Sequence, residues 1–191
     1  MKIKNLFLGL ALLALAAGQA SAQNFNLGLE AGANFSNFIG SDVSQLGNNA
    51  NNSKLGLVGG GFLCLNFGTS FGIRPEILYE QKGAAISGTS TTTELDYVEV
   101  PVLLKFALGT PGINPAILLG PSFDFNTVAK DVNGNTINGI NSSDVGLMGG
   151  VELDIDKFLV SGRYELGLDN VKSGTNLQNG TITLLVGYSF M

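Results

Sequence analysis

Phe71-Gly72-Ile73-Arg74-Pro75-Glu76-Ile77-Leu78-Tyr79-Glu80-Gln81-Lys82-Gly83 alternates residue by residue. Phe71, Ile73, Pro75, Ile77 and Tyr79 are apolar, while Arg74, Glu76, Glu80 and Lys82 share the other set with Gly72 and Leu78. An extended strand turns successive side chains to opposite faces, so this segment has a hydrocarbon face and an ionic face. Two folds use such a strand. In a soluble barrel or sandwich the hydrocarbon lines the core. In a closed barrel crossing a bilayer it meets lipid, and the ions meet the bore.

Seven further segments alternate, at residues 27–35, 55–67, 95–106, 115–126, 145–155, 158–168 and 182–190. Residues 95–106 set Val98, Val100, Val102, Leu104 and Phe106 against Tyr97, Glu99 and Lys105. Asp124 lies on the polar side of its segment, Glu152 and Asp154 on that of the next, and Arg163 and Glu165 follow on the seventh. No helical period appears. The connections at 37–54, 83–93, 127–143 and 169–180 are long and rich in Asn, Ser, Thr and Gly. Those at 66–70, 109–114 and 156–157 are short. Long and short ends therefore segregate. The pattern predicts an all-β, eight-stranded, antiparallel up-and-down transmembrane β-barrel with four long external loops and three short periplasmic turns.

Two details orient the faces. The charged side is crowded with Gly28, Gly32, Gly56, Gly60, Gly120, Gly146, Gly150, Gly167 and Gly187. An eight-stranded bore is only wide enough for side chains to fill, so large inner residues need small neighbours. The same side mixes signs. Charges removed from water must be paired, which predicts a lumen network of Arg74, Glu76, Glu80, Lys82, Glu99, Lys105, Asp124, Glu152, Arg163 and Glu165. Glu30 adds a seventh acid against four bases, so some acids are expected near the openings, hydrated or protonated. Tyr188 and Phe190 end the last apolar face, where an aromatic girdle belongs. A soluble, lipocalin-like ligand-binding barrel alternates too, and is the competing fold.

The chain begins with Lys2 and Lys4, an apolar run over residues 6–17 interrupted by Gly9, and an A-x-A site at Ala20-Ser21-Ala22. This reads as a cleaved secretory signal peptide over 1–22, too short to span a bilayer, followed by a single barrel domain over 23–191. The leader takes two of ten bases and none of fifteen acids, leaving eight against fifteen, a net −7. An acidic exported chain is a poor nucleic-acid binder. At 45% hydrophobic and 13% charged, the composition suits strands that each carry a lipid face. Cys64 is the single cysteine, so no intramolecular disulfide forms; it reads as a small packed residue.

Arg74-Pro75-Glu76-Ile77-Leu78-Tyr79-Glu80-Gln81-Lys82-Gly83, Tyr97-Val98-Glu99-Val100-Pro101-Val102-Leu103-Leu104-Lys105, Gly120-Pro121 and Arg163-Tyr164-Glu165-Leu166-Gly167-Leu168 together resemble the PorT-like outer-membrane β-barrel family. The resemblance spans most of the mature chain and implies an eight-stranded barrel in the outer membrane. Some relatives assist protein secretion. The implied partners are outer-membrane lipid, the barrel-assembly machinery, and a surface ligand or secretion and envelope proteins. One departure is Met191 after Phe190, where a terminal aromatic is usual for recognition by the assembly machinery.

Gly56-Leu57-Val58-Gly59-Gly60 is echoed by Gly146-Leu147-Met148-Gly149-Gly150, and Arg74-Pro75-Glu76 by Arg163-Tyr164-Glu165. On opposite walls of a barrel the two triplets would face each other. Pro75 and Pro101 sit inside strands where each removes a ladder donor, so a bulge or out-of-register pair is expected near each.

Histidine is absent. Without it neither a Ser-His hydrolase nor a His-bearing zinc site can be assembled. Asp131-Val132-Asn133-Gly134-Asn135 lacks the glycine position and closing glutamate of a calcium loop and reads as a turn. The glycine clusters precede no helix and are not phosphate cradles. No cofactor is implied. Three functions compete: a non-enzymatic barrel that displays its loops or supports an envelope assembly, a narrow cation-preferring pore, and a lipid-modifying enzyme confined to Ser122, Ser161 and carboxylates such as Glu165.

Overall fold

The computed structural model describes residues 24–46, 52–85, 92–109, 112–130, 133, 135–136, 141–171 and 174–190. The leader read at 1–22, Met191, and part of the 131–135 turn lie outside them. The strands are β1 (Asn24–Ile39), β2 (Asn52–Phe67), β3 (Phe71–Ala85), β4 (Thr92–Glu99), β5 (Val102–Ala107), β6 (Ile113–Lys130), β7 (Ser143–Ile155), β8 (Phe158–Gly167) and β9 (Gln178–Ser189). All pair antiparallel, and β1 pairs with both β2 and β9. Because β3 and β6 each pair with both β4 and β5, those two occupy one position, and the sheet closes as a ring of eight. Among the described residues one 3-10 helix, Ser41–Leu46, stands in the first long connection, where the sequence shows no helical period.

The segment expected as one strand over 95–106 is thus two, split at Val100-Pro101. The expected slip beside the prolines does not occur. On β3, Leu78 faces Glu99 and Pro75 faces Val102 in one unbroken register. Glu76 N–H donates to Pro101 O at 3.0 Å, and Val100 exchanges both bonds with Phe123. Proline has no N–H to return to Glu76, so one rung is lost while the alignment survives. The register irregularities fall elsewhere, between Ser53 and Val58 and between Asp96 and Tyr97.

The orientation is decided by exposure. Leu57 (66%), Val151 (64%) and Val186 (59%) project from the outer wall, whereas Arg74 (1%) and Lys82 (0%) lie inside. Ile77 and Leu184 are likewise exposed, with Ile73 and Val102 half-buried on the same wall. In water this outer surface would be a very large apolar patch, and in a bilayer it is the lipid-facing band. A lipocalin-like apolar cavity is excluded by the ions within. Phe67, Phe71 and Phe106 stack at 5.5–5.9 Å, and Phe158, Tyr188 and Phe190 at 5.2–5.7 Å, forming aromatic clusters at the short-turn end.

Inner glycines are required by close approach. A Cβ on Gly32 would lie 1.9 Å from Leu184 O, and one on Gly56 would lie 1.9 Å from Gln81 O. On the lipid face the demand vanishes: a Cβ on Gly59 or Gly149 would find its nearest atom at 3.6 or 3.7 Å.

Candidate functional site

Alternation on β3 stacks Arg74, Glu76, Leu78, Glu80 and Lys82 along the bore. Leu78 divides them into two charged groups. The group nearer the short turns is built on two arginines. Arg74 pairs with Glu30 of β1 at 2.7 Å, Glu76 of β3 at 2.6 Å, and Glu152 of β7. Arg163 of β8 reaches Glu76 at 2.6 Å and Glu30 at 3.1 Å. Lys105 of β5 closes the group on Glu152 at 2.8 Å and Asp154 at 2.5 Å. The guanidinium of Arg74 also lies 4.0 Å above the Phe62 ring. Three bases meet four acids, and Asp154, the most open of them, sits towards the mouth.

The group nearer the long loops has another composition. Lys82 stands among Glu165 at 2.5 Å, Asp124 at 3.1 Å, Glu80 at 3.3 Å and Glu99 at 3.5 Å. Ser122 Oγ donates to Glu165 Oε1 at 2.7 Å. One base meets four acids, all buried. Oxygens of Glu80, Glu99 and Glu165 lie within 4.8 Å of one another, and the Lys82 ammonium is the cation that closes on them.

Apolar side chains separate and cap these groups. Val58, Leu78 and Leu185 pack together, as do Leu103, Leu118 and Met148. At the long-loop end Leu95 and Tyr97 meet Val171, with Phe38 and Ala129 against them. At the short-turn end a cavity of about 280 Å³ opens, lined by Asn26, Cys64, Asn66, Arg74, Lys105 and Asp154 among others. Cys64 is buried there, and its thiol donates to Asn66 Oδ1 at 3.3 Å.

All ten residues named for the lumen thus lie inside the barrel, but not in one set. Arg74, Glu76, Lys105, Glu152 and Arg163 belong to the first group, and Glu80, Lys82, Glu99, Asp124 and Glu165 to the second. The two repeated triplets meet only halfway: Arg163 reaches Glu76, while Glu165 turns to Lys82. Glu30 and Asp154 belong to the first group as well, and both already stood on the polar sets of their segments. Asp144, buried and opposite Asp124 in the ladder, was missed because it lies one residue outside the alternating stretch.

A closed antiparallel ring with hydrocarbon outside and ion pairs within defines a transmembrane barrel of the outer membrane. Residues 19–173 match the outer membrane protein beta-barrel domain, and the chain belongs to that family. No curated protein sequence matches it significantly. Among solved structures it is similar to Neisserial surface protein A (TM-score 0.56, 14% identity, covering 86% of this chain and 97% of that one). It is also similar to the outer membrane enzyme PagL (TM-score 0.53, 12% identity, covering 81% and 98%). At these identities the likeness is one of fold.

Proposed function

We propose that this is a non-enzymatic outer-membrane barrel with a plugged lumen, which presents its long loops outward for binding or serves as an accessory in envelope assembly. The observation carrying it is the arginine group. Arg74 and Arg163 tie together carboxylates from β1, β3 and β7, so a bonded layer crosses the bore. An open pore needs a continuous wet path, and paired, desolvated side chains stand across it here. Within the family, the motifs around Arg74, Tyr97 and Arg163 support the PorT-like branch, which makes envelope or secretion proteins the favoured partners and the assembly machinery the route of insertion. The signal peptide over 1–22 would supply export.

Enzymatic activity is disfavoured by where the remaining candidates sit. Ser122, Ser161 and Glu165 are all buried in the bore, away from lipid. Glu76 and Glu165 fall into different charged groups, each held by a base, and so do not form an acid–base pair.

Planar-bilayer recording tests the plug. The folded barrel is expected to give no steady single-channel current. Persistent cation-selective conductance that changes on Glu76→Gln would replace this reading with the narrow-pore one.

A further inference from the structure

We propose that Asp124 and Glu165 share a single proton, which makes the outer half of the lumen a latch that alkali loosens. The two carboxyls, one on β6 and one on β8, lie in hydrogen-bond contact with each other. Ionised carboxylates offer only acceptors, so a bond between them needs a proton on one side. Two carboxylates sharing a desolvated site repel too strongly for both to ionise.

The hydrogen bonds already made by the pair assign the proton. Glu165 accepts from Lys82 Nζ at 2.5 Å through Oε2 and from Ser122 Oγ at 2.7 Å through Oε1. Asp124 accepts from Lys82 at the longer distance of 3.1 Å through Oδ2, and its Oδ1 takes no bond from a donor. Each donor aimed at a carboxylate favours its ionised form. Glu165 therefore keeps the charge, and Asp124 is the acid that donates to it.

The surroundings hold the proton in place. Around the pair stand Lys82 and Glu80 of β3, Glu99 and Tyr97 of β4, and Asp144, the ladder partner of Asp124, which accepts from the Asp169 N–H. Among the described residues no second base reaches these acids, because Lys54 donates instead to the Lys82 carbonyl at 2.8 Å. A similar carboxyl contact, Glu152 with Asp154, lies at the short-turn mouth. There Lys105 bonds both acids, Arg74 adds a second charge, and Asp154 is partly exposed, so no proton is required.

The folded chain thus holds a proton that the unfolded chain, whose aspartates ionise above about pH 4, has released. Stability therefore falls as pH rises through neutrality, until the pair gives its proton up. Two carboxylates then oppose each other on either side of β7.

The test is the temperature at which gel mobility of the detergent-folded barrel changes to that of unfolded chain, taken at about pH 6 and about pH 9. The wild type should unfold several degrees lower at the higher pH. Asp124→Asn gives Glu165 an amide donor without a proton, so it should lose much of that fall and equal or exceed the wild type at the higher pH. Glu165→Gln, which removes the nearest charge from Lys82, should unfold at a lower temperature at both. Infrared spectra in deuterium oxide add a second reading: the folded wild type should show a protonated-carboxyl band at neutral pH that shrinks in Asp124→Asn. If Asp124→Asn does not fold, the wild-type band decides alone. Absence of the band overturns the proposal, as does an Asp124→Asn variant that unfolds below the wild type by the same margin at both pH values. Rescue by Glu165→Gln in place of Asp124→Asn overturns it as well.

Discussion

Arg163 joins β8 to β1 and β3 through Glu30 and Glu76, and none of the three carboxyl or guanidinium groups reaches solvent. Removing Arg163 leaves the buried Glu30 and Glu76 to share the single charge of Arg74, and breaking a buried ion pair from one side costs about 3–5 kcal/mol. Arg163→Ala should therefore lower the thermal stability of the detergent-folded barrel by that order, read from the temperature at which gel mobility changes to that of unfolded chain. An unchanged transition would mean the inner face is solvated. Gly32 tests the bore's tightness by another route. Gly32→Ala forces a methyl against Leu184 O and should impair folding, whereas Gly149→Ala, on the lipid face, should leave the folded fraction unchanged. Equal behaviour of the two would remove the case for glycine as a spacer.

At the scale of the strand, β4 and β5 show how a proline is accommodated in a closed sheet. Pro101 withholds one donor from Glu76 yet leaves the pairing of β3 aligned on both sides. Pro101→Ala restores an N–H, a gain of about 0.5–1.5 kcal/mol. It also frees the unfolded chain, a loss of about 0.4–1 kcal/mol. These offset, so the variant should fold with stability within about 1 kcal/mol of the parent by thermal unfolding. A larger loss would show that the proline holds the register rather than being tolerated by it. The split was legible as a lost donor, but its outcome was not. Whether a missing rung becomes a slip or a gap depends on the neighbours, and here β6 keeps Val100 bonded through Phe123.

For the whole molecule, the outer wall is a continuous hydrocarbon band, and a charge placed mid-band meets lipid. Leu184→Arg should cost about 2–4 kcal/mol in a bilayer. Folding yield in lipid vesicles measures it, and a yield equal to the parent's would show that Leu184 lies near an interface. The eight positions of the ring, face assignment and the sorting of loops by length were determined by the sequence alone, because alternation with period two is a local property that each segment declares for itself. Ion partnerships were not. Arg74 meets Glu30 across 44 residues and Glu152 across 78, and Arg163 meets Glu30 across 133. Closure of the ring and stagger of its strands determine which inner residues share a level. Only the tertiary structure could therefore split one set of charges into a nearly balanced arginine layer and an acid-rich layer around Lys82.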